Sequence, residues 1–289
     1  MHNAHSNSVP PIIVCAPMPR SGTTYCKHLI NVHPNVYRGE LREDYLLFRS
    51  SLLSNYVDAL YEIWDSMEDN DRLSEGRSSP DSLMNAIGNT LLNHVGQRET
   101  TNRMVLKTPR LYDLDVAFRL FPGCQIVILI RDPRSIISSY LRAQKGWGLD
   151  RSFEEIATQW ASAMRDLSGF LSENQDAVRS QQLILVRYEK LVTDLETEYR
   201  TLLEKLNLNF AEECAAEVSH PKVRGSSFLP LTDEGRVDFK ERDMPDDFSP
   251  AERWNDWTLE RHARFNRICG SLLNKWGYKP VTASTSQKL

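Results

Sequence analysis

The 289-residue chain carries 35 lysines and arginines against 39 aspartates and glutamates, a formal net charge of −4. That is the wrong balance for a nucleic-acid-binding surface, which shows a basic excess. Five cysteines, at positions 15, 26, 124, 214 and 269, are odd in number and form no Cys-x-x-Cys pair, which argues against a disulfide framework or a zinc site. The seven histidines lack metal-ligand spacing, so no metal is expected. The longest fully apolar runs, such as Ile126 to Ile130, fall far short of the roughly 20 residues that span a bilayer. Met1 to Val9 is polar, without a signal-peptide core, so the expectation is a soluble, cytoplasmic protein with no membrane partner.

The first apolar run, Pro11-Ile12-Ile13-Val14-Cys15, reads as a strand, and Tyr25 to Val32 reads as a helix. Between them lies Ala16-Pro17-Met18-Pro19-Arg20-Ser21-Gly22-Thr23-Thr24. Strand, tight loop and helix N-terminus in that order make an anion cradle, because free backbone N–H groups and the helix dipole point at one spot. The Walker pattern does not fit: Pro17 stands at its first glycine and Thr23 at its lysine. Arg20 takes over as the cation, so the ligand is expected to be a phosphate compound other than a magnesium triphosphate.

From 45 to 102 the pattern is mostly helical, broken at Asp69-Asn70-Asp71 and Ser78-Ser79-Pro80. Met104-Val105-Leu106-Lys107 reads as a strand ending in a lysine. Gln125 to Ile130 is the unbroken apolar run of a strand buried on both faces. It leads into Arg131-Asp132-Pro133, where Pro133 suits the first turn of a helix with Ile136, Ile137, Tyr140 and Leu141 as its apolar face. Phe153, Ile156, Trp160, Met164, Leu167 and Leu171 define a further helix. A strand near 182 to 187 follows, and Leu191, Leu195, Tyr199, Leu202 and Leu206 predict one helix after it. The stretch 222–250 is loop-like and charged. Trp254, Trp257, Arg261, Phe265, Ile268, Leu272 and Trp276 predict a last helix starting near Ser249-Pro250. Strands alternating with helices predict an α/β, P-loop-like three-layer fold, a central parallel sheet flanked by helices, with phosphates at the carboxyl ends of the strands. A single domain over 10–280 is expected, with disordered tails at 1–9 and 281–289.

Pro19-Arg20-Ser21-Gly22-Thr23-Thr24 resembles the 5′-phosphosulfate loop of sulfotransferases, which use 3′-phosphoadenosine 5′-phosphosulfate (PAPS) as sulfonate donor and release the bisphosphate PAP. The family's other elements follow in order. Arg131, at a strand end, and Ser139, eight positions later on the next helix, match the pair that grips the 3′-phosphate, a role that guanidinium and hydroxyl donors suit. Lys107 is similar to the catalytic lysine delivered by a strand end. Leu183 to Val192 resembles the strand-to-helix segment with a Tyr-Glu-x-Leu signature, which implies that Tyr188 approaches the nucleotide while Glu189 caps or braces the turn. Arg224-Gly225-Ser226-Ser227 partly matches the late basic loop of the 3′-phosphate, without its Gly-x-Trp-Lys portion. The Leu272 to Tyr278 end resembles the family's closing helix.

The branches differ in their base. The Lys-Thr-His branch carries it two residues after the lysine, where this chain has Pro109. His33-Pro34-Asn35-Val36-Tyr37-Arg38-Gly39-Glu40 instead resembles the tyrosylprotein-type and bacterial branch, making Glu40 the candidate base. Leu41 replaces the second acid of its Gly-Glu-Glu, and Glu43 is the alternative. His33 is expected to be structural, and Cys15 and Cys124 small buried hydrophobes. The resemblance implies in-line sulfonate transfer from PAPS to a hydroxyl or nitrogen of a small-molecule or natural-product acceptor. It also implies that 45–102 and 222–250 shape the acceptor pocket; a homodimer is left open. The rival readings are an unusual P-loop kinase and a non-catalytic nucleotide-binding sensor that keeps the phosphate loops without a working base.

Overall fold

Apolar residues on successive strand positions sort into two cores, one on each side of a single sheet. A computed structural model describes residues 9–37, 39, 41–67, 78–96, 102–210, 214, 218, 223–224, 241–242 and 251–282. Among them five strands, β1 (Ile12–Cys15), β2 (Val36–Tyr37), β3 (Arg103–Lys107), β4 (Gln125–Ile130) and β5 (Leu183–Arg187), form an all-parallel sheet in the order β2-β3-β1-β4-β5. Ile13 and Cys15 of β1, Met104 and Leu106 of β3, and Ile126, Ile128 and Ile130 of β4 face the larger core. Ile12, Val14, Val105, Val127 and Leu129 face the smaller one. Period-two alternation with both faces apolar is what a parallel sheet covered on both sides demands.

The larger core is closed by α2 (Ser50–Ser66), α3 (Pro80–His94), α4 (Leu114–Leu120), α5 (Pro133–Ala143) and α6 (Phe153–Glu173), together with the last helix, α10 (Leu259–Lys275). The short α7 (Gln175–Arg179) packs at its edge. The smaller core is closed by α1 (Thr23–Asn31), α8 (Tyr188–Thr193) and α9 (Leu195–Lys205). All five cysteines are buried and free. A separate antiparallel pair, β6 (Val223–Arg224) with β7 (Glu241–Arg242), lies within the segment expected to be loop.

Three expectations change. The strand β2 was not anticipated: two residues carry no readable period, and the pairing of Val36 with Arg103 makes it. The helix expected from Leu191 to Leu206 is two, because Asp194 breaks helical geometry at φ −138° and ψ 61° between α8 and α9. The last helix starts at Leu259 rather than near Ser249, since Thr258 caps it by accepting from the Arg261 N–H. Trp254 and Trp257 precede that cap. Helices α6 and α10 otherwise run over the expected apolar stripes, and α6 opens on a capping box between Ser152 and Glu155.

Register sets the site. Val14 pairs with Lys107 across β3 and with Val127 across β4, so β1 ends into the 16–22 loop just as β3 ends in Lys107, and β4 runs on to Arg131. Packing at the far side is equally tight, since a Cβ on Gly88 of α3 would lie 2.0 Å from the Leu120 carbonyl oxygen at the end of α4. Backbone cannot yield as a side chain would, so Gly88→Ala is expected to destabilise by about 1–3 kcal/mol, measured by denaturant unfolding.

Candidate active site

The 16–22 loop is held shut by its own polar groups. Ser21 is fully buried, and its hydroxyl donates to the Met18 carbonyl at 2.7 Å. Gly22, N-terminal to α1, sits at φ 98°, the left-handed region that glycine occupies without penalty. A Cβ there would come within 2.2 Å of Cδ2 of Tyr188. The Tyr188 ring therefore lies directly over the glycine, and the Arg131 guanidinium stacks on it at 4.2 Å from the ring centroid. Arg131 Nη1 also donates to the Arg20 carbonyl at 2.6 Å. Arg20 Nε donates to Ser139 Oγ at 3.0 Å. The structure thus gathers Arg20, Ser21, Gly22, Arg131, Ser139 and Tyr188, which are far apart in sequence, at the carboxyl ends of β1, β4 and β5.

Like charge concentrates here. Burial, then Arg131, pull the Arg20 guanidinium down to about 10. Burial, then Arg131, Arg142 and Arg20, pull Arg253 down to about 9. Both stay charged at neutral pH, but each is pushed toward the neutral form by its neighbours, the mark of a place suited to an anion. Sequence reasoning missed Arg253. The reason it arrives here is the anchoring of its segment to α5: Ser135 Oγ donates to the Ala251 carbonyl at 2.5 Å, Trp257 Nε1 donates to Ser138 Oγ at 2.8 Å, and Arg134 lies 3.7 Å over the Trp254 ring. The two tryptophans before α10 were the available signal, read instead as helix core.

Arg134 pairs with Asp132 in a buried bridge at 2.6 Å. Glu189 accepts from the Asp132 N–H at 2.7 Å and from Tyr278 Oη at 3.1 Å, the bracing role expected of it. His33 is structural as expected: its Nε2 bonds the Asn209 carbonyl at 2.7 Å and its Nδ1 accepts from the Asn35 N–H.

A second set of contacts joins the loop to the segment after β2. Lys107, 3 % exposed, donates through Nζ to Thr24 Oγ1 at 2.9 Å and to Glu43 Oε1 at 2.8 Å. Tyr45 Oη donates to the other oxygen of Glu43 at 2.5 Å. Asp44 clamps this segment to β3, since its carboxylate accepts from the Lys107 N–H at 2.5 Å and its own N–H donates to the Lys107 carbonyl. Lys27 of α1 adds a third tie, Nζ to the Leu41 carbonyl at 2.8 Å. Lys27 and Asp44 were not expected from the sequence; the acidic pair Glu43-Asp44 was its only sign. Burial raises Asp44; burial also pushes Glu43 up, but the charge and hydrogen bond of Lys107, with the Tyr45 hydroxyl and Lys27, together hold it below the ordinary glutamate range. Thr23 is buried at the first position of α1. Arg224 lies in β6, while Glu40 and Gly225 fall outside the described residues. Among the described residues no group of histidines, cysteines and carboxylates is placed to hold a metal ion, and no helix is long and apolar enough to cross a membrane.

A carboxylate depressed in the folded state contributes stability that is present above its unfolded pKa and lost as pH falls through its folded pKa. The wild-type margin over Glu43→Gln is therefore expected to be full at neutral pH and to vanish on acidification below the ordinary glutamate range, read as melting temperature against pH for both proteins.

The sequence profile of the sulfotransferase family matches residues 11–212. Protein-tyrosine sulfotransferase 1 of Danio rerio is 28% identical over 223 residues, covering 75% of this chain and 58% of that protein. Protein-tyrosine sulfotransferase A of Caenorhabditis elegans is 24% identical, covering 70% and 51%. The chain thus spans between half and three-fifths of the length of these relatives. Among solved structures, the sulfotransferase domain from the curacin biosynthetic pathway superposes with a TM-score of 0.54 at 20% identity, covering 94% of this chain and 99% of that one. A mouse sulfotransferase in complex with PAP superposes with a TM-score of 0.51 at 11% identity, covering 91% and 84%. These structures share the fold, and the matched profile spans the sheet from β1 to β5 and every residue of the phosphate loop: the chain belongs to the sulfotransferase family.

Proposed function

We propose that this protein is a PAPS-dependent sulfotransferase acting on an acceptor hydroxyl, with Lys107 and Glu43 at the point of transfer. The observation that carries the reading is Lys107 Nζ, which bridges Thr24 of the phosphate loop and the Glu43 carboxylate at 2.9 and 2.8 Å. A buried cation between an anion cradle and a carboxylate is what transfer of an anionic group from a phosphate to a hydroxyl needs.

The residues fit the donor. The cradle after β1 offers backbone N–H groups at a helix N-terminus, with Ser21 and Gly22 fixing the turn and Thr23 and Thr24 opening the helix. Arg131, Ser139 and Arg253 would supply the donors for a second phosphate, and Arg20, expected at the 5′-phosphosulfate, joins them through its bond to Ser139. Tyr188, buried against Gly22 and under the Arg131 guanidinium, would serve the donor by holding Arg131 in place. Bound there, PAPS would supply the sulfonate. Lys107 would neutralise charge growing on the leaving phosphate oxygen, and Glu43 would take the acceptor's proton through the oxygen that now accepts from Tyr45. The proton-accepting role is proposed for Glu43 rather than Glu40 because Glu43 touches Lys107.

For the acceptor, the rim beside Glu43 is aromatic: Tyr45 and Phe48 are exposed, and both rings contact Tyr112. That rim suits a hydroxyl on a flat or apolar body, in keeping with a small-molecule acceptor. The names of the Danio and Caenorhabditis relatives favour a second reading, the phenol of a protein tyrosine. PAP release measured with phenolic small molecules and with tyrosine peptides separates the two: turnover on the former alone supports the first reading.

Binding and chemistry are separable. PAP at 100 times its dissociation constant is expected to stabilise the protein by about 2.7 kcal/mol, with AMP and Mg-ATP ineffective; a response to Mg-ATP alone would revive the kinase. Arg253→Ala is expected to weaken PAP binding about tenfold or more, the loss of one charged hydrogen bond. Lys107→Met is expected to lower kcat by about 10²–10³ while PAP still binds. Glu43→Gln with PAP binding intact and activity unchanged would remove Glu43 as the base, and a wild-type protein that binds PAP without turning over any acceptor would support the sensor.

A further inference from the structure

We propose that Tyr45 is itself a sulfonate acceptor: its phenol stands where an acceptor hydroxyl must stand, and it becomes O-sulfated when the donor is bound with no external acceptor. The inference rests on the sulfotransferase reading above.

Tyr45 Oη donates to Glu43 Oε2 at 2.5 Å, the other oxygen of that carboxylate accepts from Lys107 Nζ at 2.8 Å, and Nζ reaches Thr24 Oγ1 of the phosphate loop at 2.9 Å. Phenol, carboxylate, ammonium and loop hydroxyl form one chain of contacts. An acceptor attacking a group held in the cradle gives its proton to a carboxylate that faces the cation serving the leaving group, and Tyr45 reaches such a carboxylate.

The backbone bears this out independently. Tyr45 sits at φ 53°, the left-handed region, which a bulky aromatic residue adopts only when its surroundings impose it. Burial does not impose it, since Tyr45 is 43% exposed and its ring meets Tyr112 only at a centroid distance of 6.4 Å. The conformation brings the Tyr45 carbonyl to the Phe48 N–H and the hydroxyl to Glu43. Asp44, clamped to both backbone groups of Lys107, fixes the residue immediately before it.

In the step, the bond from sulfur to the 5′-phosphate oxygen of PAPS breaks, its electron pair leaving with PAP. The bond from Tyr45 Oη to sulfur forms, and the phenolic proton passes to Glu43. No oxidant or reductant takes part.

The full chain incubated with PAPS alone is expected to gain one sulfonate, mapped by peptide mass spectrometry to Tyr45, at a rate per molecule unchanged by dilution. Tyr45→Phe, which keeps the ring, is expected to abolish the gain, and Lys107→Met to slow it about a hundredfold. A donor-free readout is the tyrosinate absorbance: the Tyr45 phenol, raised by burial and then by its bond to Glu43 and by Tyr112, against Arg110, which lowers it, is expected to titrate above ordinary tyrosine and to move down in Glu43→Gln. If PAP stabilises the protein yet PAPS adds no sulfonate, adds it equally to Tyr45→Phe, or adds it at a rate that falls with dilution, self-sulfation within the chain is overturned while the donor reading stands. If PAP does not bind, both fall.

Discussion

Guanidinium groups brought together against their mutual repulsion are the constraint on which the rest of the site depends. Arg131 lies within reach of Arg20 and Arg253, and both are displaced toward neutrality, Arg20 by burial, Arg131 and Arg142, and Arg253 by burial, Arg131, Arg142 and Arg20. Folding does not gain from such a cluster; it bears its cost, because like charges in a partly desolvated place disfavour one another. The compensation is geometric. The Arg20 carbonyl and the Tyr188 face fix Arg131, and Ser139 fixes Arg20. A ligand carrying two phosphates meets donors already oriented, which spares the ordering that binding would otherwise cost.

The anchoring of Arg253 shows how far the fold goes to assemble this cluster. The segment 251–257 has no regular structure of its own, so three side chains of α5 hold it, two serines through hydrogen bonds and Arg134 by stacking on Trp254. Helix α5 begins where β4 ends, and the Asp132–Arg134 bridge and Glu189 lock that junction. The same short stretch therefore supplies Arg131 and Ser139 directly and Arg253 at second hand.

Much of this was legible in the sequence. The strand, loop and helix from Ile12 to Asn31 and from Gln125 to Ala143 could be read because unbroken apolar runs, Gly22 and Pro133 each force one local conformation. Arg131 and Ser139 followed from that reading. Illegible features had long-range causes. Two residues of β2 exist as a strand only through Arg103 and Met104. Trp254 and Trp257 continue the helical period of α10 numerically, yet they pack in the turns before its cap, and periodicity alone cannot distinguish the two. Glu40 and Glu43 are alike in type and differ by three positions; what sequence alone does not show is that Asp44 pairs with the Lys107 backbone and Glu43 with its ammonium.

This difference has a physical root in how the two halves of the site are built. Most of the proposed donor side is made of residues at strand ends and the first turns of the following helices, where position along the chain fixes position in space. The acceptor side is made by contacts 63 to 83 residues apart, from Lys107 to Thr24, Glu43 and Asp44. Local bonds, Tyr45 to Glu43 and the Leu46 N–H to Asp44, shape the segment, but it is the long-range contacts that bring it to the lysine. The left-handed conformation of Tyr45 belongs to this half. The segment that Asp44 clamps to the lysine carries a phenol as well as a carboxylate, and the left-handed turn between them sets that phenol against the same Glu43 that faces Lys107, so the proposed acceptor hydroxyl is fixed by the same long-range tie as the proposed base.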